Sequence, residues 1–421
     1  MERRDATIGV FAGFPPEHSA HIIEAAFTVR ALQQMQFRNV VGVTASTERP
    51  PVQMLDEGLV AYHAENILHP LPYPHIPVAN VQDAIDGYDI RLGRIHKLME
   101  EFGMDVLYLT YHPLCGAKLI EAVGQTRAKT LLLAKMALVS GDQRNIFSGY
   151  HRDYDRSLEE ADGIIALQEN DARLIRRRYP QAEDKIHVVH KFVDHEFLSE
   201  ARKRAPNILN ELGIAEFVGE GEHVVGCFGR IDPEKNAVLL AQEIWPLVEK
   251  LVPSARLVMM GTGTQSDEIR SIVQDAKGIR LLERQIPYVD LLALLTHMDV
   301  LAFPSGTDYT PRIPMDALLM GSRVVACDLN FNDVFRPYAK LVPTTKFRTY
   351  KPYGFNDNTR LLPGYEYQLP YGVPEPEAFA AGIAEQLYTS GSISLPSGLF
   401  TTAGFVREFS AAMKDVIGLD S

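Results

Sequence analysis

Two acidic residues, Asp308 and Asp316, stand with seven residues between them across a predicted strand-to-helix turn. The run Asp299-Val300-Leu301-Ala302-Phe303 reads as a buried parallel strand, and Met315 to Met320 opens a helix that ends at Gly321. Asp308 is then expected at the carboxyl edge of the strand and Asp316 in the helix, so both can face the crevice where open α/β sheets bind nucleotides. Upstream, Gly226-Cys227-Phe228-Gly229-Arg230-Ile231-Asp232-Pro233-Glu234-Lys235-Asn236 places two cations, Arg230 and Lys235, in a Gly/Pro turn between a strand and a helix. Fixed positive charge there suits a diphosphate, and the amino-terminal dipole of a helix starting at Ala237 adds to it.

Alternating strands and helices must position these groups. Ile8 to Gly13 reads as a strand, followed by a helix to about Met35 and a second strand over Val40 to Ala45. Further strands are predicted at Asp105–Leu109, Thr130–Ala134 and Gly163–Leu167, the pattern of a doubly wound parallel sheet. Residues 1–205 therefore make one Rossmann-like domain, with an interdomain linker expected within the charged, glycine-bearing stretch Ser199 to Glu222. A second sheet begins at Val224, and residues 206–400 form the second domain. Within it, residues 341–372, with Tyr350, Tyr353, Tyr365, Tyr367 and Tyr371 among Arg348, Lys351, Arg360 and prolines, read as a long insertion. The insertion suits either a cover for the cleft or a homo-oligomer contact, and equally a surface loop. Residues 401–421 make a terminal helix expected to cross back to the first domain.

The 421 residues suffice for two domains with cores of their own. A net charge of −12 argues against nucleic acid as the main partner, because phosphate backbones require a basic face. The three cysteines, Cys115, Cys227 and Cys327, are too widely spaced for a disulfide framework or a zinc site, which fits a reducing cytoplasm. The amino terminus leads straight into a strand, and no run approaches the ~18 apolar residues of a membrane span.

The turn with Arg230 and Lys235 and the Asp308/Asp316 pair resemble the donor half of the retaining GT-B glycosyltransferases, the family 4-like group 1 branch. Its pattern is a Gly-Arg…Glu-Lys turn followed by Glu-x7-Glu. Here both glutamates are aspartates. The resemblance covers most of residues 222–330, including Leu257-Val258-Met259-Met260-Gly261-Thr262-Gly263, which is similar to the family's strand and glycine turn. It implies a GT-B architecture, two Rossmann-like doubly wound domains facing a central cleft. The implied activity is transfer of a sugar from a nucleoside-diphosphate sugar to an acceptor with retention, without cofactor or metal. By the same resemblance Arg230 and Lys235 hold the diphosphate, Gly261 and Gly263 belong to the nucleotide site, Asp316 accepts from the ribose hydroxyls and Asp308 lies near the transferred sugar.

The chain departs from the family pattern in three places. After the strand at Thr130–Ala134, where the family usually carries a sugar-contacting histidine, stands Lys135, which can take over a hydrogen bond. The family's Glu-Gly-Phe-Gly turn is replaced by Asp308-Tyr309-Thr310-Pro311-Arg312, whose proline lacks an N–H and whose Arg312 is a candidate phosphate ligand in compensation. The usual Gly-Gly loop after the first strand is Gly13-Phe14-Pro15-Pro16-Glu17-His18. His18 and His112 follow strands of the first sheet and are candidates for acceptor or sugar contact, weighed against ordinary structural histidines. Asp153-Tyr154-Asp155 has the Asp-x-Asp form of metal sites, but its predicted helical setting over Tyr150 to Ala161 makes it a solvated face. The alternatives to a working transferase are a pseudo-glycosyltransferase and a silent nucleotide-sugar-binding subunit.

Overall fold

The computed structural model describes residues 6–11, 20–35, 37, 39–44, 68–70, 99–109, 120, 123–124, 126–134, 156–219, 221–274, 276–308, 310–350 and 369–418. They fall into two compact units.

The first unit holds a seven-stranded sheet of β1 (Thr7–Phe11), β2 (Asn39–Thr44), β3 (Leu68–Pro70), β4 (Val106–Leu109), β5 (Lys129–Leu133), β6 (Gly163–Ala166) and β7 (Ile186–Val188). Their spatial order is β3-β2-β1-β4-β5-β6-β7, with every pairing parallel. Val106-Leu107-Tyr108-Leu109 and Gly163-Ile164-Ile165-Ala166 are buried at every position. That is why these strands read as continuous apolar runs rather than alternating ones: both faces of a parallel sheet are covered. Helix α1 (Ala20–Gln34) joins β1 to β2 and packs on both.

The second unit begins at Val193. Its first element, α2 (His195–Glu211), occupies much of the stretch expected to be linker. The charges that suggest a linker line its outer face, while Phe197, Leu198, Ala201 and Ile208 are buried at helical spacing. Asp194 caps it by accepting from the Glu196 N–H at 2.9 Å.

The sheet of this unit comprises β8 (His223–Phe228), β9 (Ala255–Met260), β10 (Ile279–Leu282), β11 (Val300–Phe303), β12 (Arg323–Cys327) and β13 (Lys340–Val342). The order is β10-β9-β8-β11-β12-β13, all parallel. The chain winds outward one way from β8 and the other way from β11, so the order reverses between these two strands. The loops leaving their carboxyl ends border the place where doubly wound sheets bind ligands. After β8 a helical run spans Ala237–Leu239, Leu240–Ile244 and Trp245–Leu251, its middle segment a π turn. Pro246, which has no N–H to donate and crowds the turn before it, accounts for the widening. Helices α3 (Tyr288–Leu295) and α4 (Arg312–Met320) flank β11, and α4 ends at Gly321 with φ 94°.

Of the expected insertion, the described residues form two antiparallel strands, β14 (Thr344–Tyr350) and β15 (Leu369–Pro374). Tyr353, Tyr365, Tyr367, Lys351 and Arg360 lie outside the described residues. The final helix α5 (Thr402–Ile417) belongs to the first unit, where it packs on α1, β5, β6 and β7. Phe405 stacks on Phe192 at 4.4 Å and Phe409 meets Tyr108 edge-on at 5.3 Å. A Cβ on Gly163 would stand 2.5 Å from Val416, so the glycine of β6 is what lets α5 lie this close.

The loops after β8 and β9 are zipped backbone to backbone. Gly229 N–H donates to Met260 at 3.0 Å, Ile231 N–H to Thr262 at 3.0 Å and Gln265 N–H to Ile231 at 2.9 Å. A Cβ on Gly261, whose φ is 150°, would sit 1.8 Å from the Gly229 carbonyl oxygen. Gly261→Ala is therefore expected to destabilise the second unit by about 3 kcal/mol or more, from the backbone clash and the left-handed φ together. Trp245, the single tryptophan, lies in this unit and reports its urea unfolding by fluorescence. An unshifted midpoint would refute the expectation.

Candidate functional site

The loop Gly229–Asn236 carries four charged residues, Arg230, Asp232, Glu234 and Lys235, and local geometry decides what each does. Arg230 reaches back to two acids of its own turn, pairing through one nitrogen with Asp232 and through the other with Glu234 at 2.6 Å. Asp232 also accepts, at 2.8 Å each, from the N–H and hydroxyl of Thr264 on the loop after β9. Both acids are enclosed, while the Arg230 side chain stays 44% exposed. Lys235 points the other way, to the loop after β11. Its ammonium donates to Asp308 at 2.8 Å, to the Ser305 hydroxyl at 3.2 Å and to the Thr307 carbonyl at 3.2 Å. Sequence positions 235 and 308 are thus brought into direct contact at the reversal point of the sheet.

Arg230 and Lys235 face three carboxylates here: Asp232, Glu234 and Asp308. Magnitudes decide which contact can give way to an anion. The Lys235–Asp308 pair is only partly buried, and such pairs contribute about 0–1 kcal/mol, so its exchange for a more highly charged ligand is cheap. Removing Arg230 from the buried Asp232 and Glu234 would instead strand two enclosed charges, at a cost of several kcal/mol.

Gly261 and Gly263 lie where the sequence reading expects them, after β9, and the structure gives them a packing role. A Cβ on Gly263 would stand 2.3 Å from the Ile231 carbonyl oxygen, as on Gly261 it would strike Gly229. Both glycines let the β9 loop press against the backbone that presents Arg230.

Arg312 and Asp316 share one face of α4, four residues apart. Arg312 opens the helix after Thr310, whose φ of 43° is unusual for a β-branched residue, and Pro311, which stands at the cap. Its guanidinium lies 5.1 Å from the centre of the Tyr288 ring and is buried. The cation therefore faces an aromatic ring inside the fold, and to serve as the expected phosphate ligand Arg312 would have to leave that ring. The Tyr288 hydroxyl in turn donates to Asp316 at 2.8 Å. Asp316 is 0% exposed, whereas the sequence reading set it at the crevice. Sequence reasoning missed Tyr288, the first residue of α3, because no spacing links it to residue 316. His112, Lys135, His18 and the Asp153/Asp155 pair lie outside the described residues. Among the described residues no group of three or more His, Cys, Asp or Glu side chains could hold a metal ion.

Burial drives the Tyr288 pKa well above its ordinary 10.0, with Asp316 adding to the rise against an opposing pull from Arg312. A raised folded-state pKa means that the phenol's contribution is complete below pH 10 and is lost as the pH climbs past it. Tyr288→Phe is expected to cost about 1–3 kcal/mol at neutral pH. That difference from the parent should stay flat to about pH 10, then shrink by about 1.4 kcal/mol per pH unit. Urea unfolding monitored at Trp245 measures it, and a difference that holds constant to pH 11.5 would contradict the assignment.

Residues 222–345 match the family described as Glycosyl transferases group 1, a segment that includes both loops and Asp316. No curated protein matches the chain. Among solved structures, the fold is similar to Anabaena HepE in complex with UDP-glucose, at 12% identity and TM-score 0.61, covering 97% of this chain and 99% of that one. It is also similar to sucrose-phosphate synthase from Thermosynechococcus elongatus, at 13% identity and TM-score 0.64, covering 98% and 99%. UDP-GlcNAc 2-epimerase from Methanocaldococcus jannaschii matches too, at 12% identity and TM-score 0.60, covering 96% and 99%. At such identities the structural neighbours establish the two-domain GT-B fold, while the family match supplies the class of activity; on both together, the chain is a glycosyltransferase of GT-B architecture.

Proposed function

We propose that the chain transfers a sugar from a nucleoside-diphosphate sugar to a small-molecule or glycan acceptor with retention of configuration, and does so without a metal. The observation that carries this reading is the pairing of Lys235 with Asp308 at the reversal point of the second sheet, beside the half-exposed Arg230. A diphosphate arriving there takes the Lys235 ammonium from Asp308 and adds to the exposed guanidinium of Arg230. Fixed positive charge then stabilises the phosphate as it leaves, the term that usually contributes most to such reactions. Asp308, once exchanged off Lys235, is the carboxylate nearest the transferred sugar. Asp316 is assigned to the ribose, a role in which a ribose hydroxyl must share or replace the Tyr288 donor. Lys135 or His112 is assigned to the sugar contact on the same reading.

The cytoplasmic location belongs to this reading as well. Cys227 and Cys327 are free thiols, and no helix among the described residues is long and apolar enough to cross a membrane. A second reading, a subunit that binds the nucleotide-sugar silently, keeps the same contacts and differs only in turnover.

Lys235→Ala is the cleaner test of the diphosphate site, since it releases a partly exposed Asp308, whereas Arg230→Ala strands two buried acids. The double variant is expected to weaken binding of UDP, GDP or ADP, whichever the parent takes, by a few kcal/mol, about 100-fold or more. Titration calorimetry on protein whose Trp245 emission shows it folded measures this, and unchanged affinity removes the assignment. Turnover of the corresponding nucleotide-sugar should survive EDTA and yield a product of unchanged anomeric configuration by NMR. Loss of turnover on chelation would overturn the metal-free chemistry, and binding without any diphosphate release would favour the silent subunit.

A further inference from the structure

One buried side chain ties the loop that presents Lys235 to two distant segments. Asn236 is 5% exposed and has left-handed backbone angles, φ 52° and ψ 28°. Its amide nitrogen donates to the Pro304 carbonyl at 2.8 Å and to the Gly372 carbonyl at 2.9 Å. The first carbonyl directly follows β11, and the second lies in β15. The three segments are also joined through the backbone: Gly306 N–H donates to Glu234 at 2.8 Å, and Gly372 N–H to Gly306 at 2.8 Å. A Cβ on Gly306 would stand 2.0 Å from the Gly372 carbonyl oxygen, so β15 rests directly on the loop that carries Ser305, Thr307 and Asp308.

Asparagine is suited to this position on two counts. Its amide offers two N–H donors from one short arm, which matches two carbonyls on different segments. It also tolerates the left-handed region better than other residues with a Cβ. Aspartate has the same size but would aim oxygen at oxygen. Glycine keeps the backbone conformation and loses both donors. The residue before it is Lys235, whose reach to Asp308 depends on where the two loops stand.

The geometry points to Asn236 as the positioning residue that sets the distance between the Lys235 ammonium and the Asp308 carboxylate, with β15 as the strut against which both loops are held. This inference rests on the transferase reading for its chemical consequence, but the clamp itself does not. Asn236 touches no reacting atom in this scheme. Its removal should loosen the geometry of transfer more than the affinity for nucleotide, because Arg230 keeps its own acids and its place.

Asn236→Gly and Asn236→Asp both remove the two hydrogen bonds, the first with the left-handed backbone still freely accessible. Hydrogen exchange by mass spectrometry on the free protein reads the clamp without any ligand. Exchange should quicken tenfold or more in peptides covering 304–308 and 369–374 in both variants, while peptides of β9 and β10 stay at parental rates. Steady-state kinetics with the nucleotide-sugar turned over by the parent reads the chemistry. A kcat lower by tenfold or more, with KM for the donor within threefold, is the expected split for Asn236→Gly. Parental exchange in both peptides would overturn the clamp whatever the protein catalyses. Faster exchange with unchanged kcat would overturn the positioning role. A parent that binds no nucleotide would sink the transferase reading instead, and with it the positioning role, leaving the clamp to stand or fall on exchange alone.

Discussion

The close approach of backbone to backbone at the carboxyl edge of the second sheet is the constraint on which the site depends. The loops after β8 and β9 meet there, and the loop after β11 meets β15, each time with a glycine where a Cβ would strike a carbonyl oxygen: Gly261 against Gly229, Gly263 against Ile231 and Gly306 against Gly372. Without these approaches Arg230 and Lys235 would be surface cations of a turn. With them, one cation is held on acids of its own loop and the other is carried across to Asp308. The reversal of strand order between β8 and β11 provides the crevice, and the glycines bring the chain close enough to line it.

The electrostatics of the loops follow from this crowding. Three carboxylates around two cations leave the cluster with no surplus of positive charge. On the proposed reading, a diphosphate is therefore taken up by exchange. The exchangeable contact is the screened one, Lys235 with Asp308, and the enclosed acids on Arg230 act as a fixed base that orients the guanidinium. Fixed charges of this kind need no reorganisation when an anion arrives, which is the condition under which electrostatic stabilisation works best.

Much of the architecture was legible because fully buried parallel strands are written as continuous apolar runs, as in Val300–Phe303 and Gly163–Ala166. The cations and the two aspartates were legible because their spacing within one loop or one turn of chain is local. What escaped was either amphipathic or long-range. Helix α2 passed for a linker because its charged face dominates its composition while four buried residues decide its fold. The contact of Arg312 with the Tyr288 ring is equally hidden, because nothing in a strand–turn–helix pattern reveals that ring. Asn236 drew no notice, since its two acceptors lie 68 and 136 residues away.

The paired substitution of aspartate for glutamate acquires a physical meaning in this setting. An aspartate carries its carboxylate one methylene closer to its own backbone, so each acid is governed more by the segment it stands on than by what approaches from the crevice. At position 308 that segment is a loop resting on β15, and the short arm meets a lysine delivered from the neighbouring loop. At position 316 the segment is a helix packed against α3, and the short arm is enclosed under the Tyr288 hydroxyl, itself kept protonated by burial. The two carboxylates therefore differ in kind despite their common residue type. Asp308 is a partly exposed charge that changes partners at small cost, and Asp316 is an enclosed one whose partner must be replaced bond for bond. A ligand that engages both has to bring hydroxyls for Asp316 and a stronger anion for Lys235, and a nucleoside diphosphate is a single molecule that presents the two.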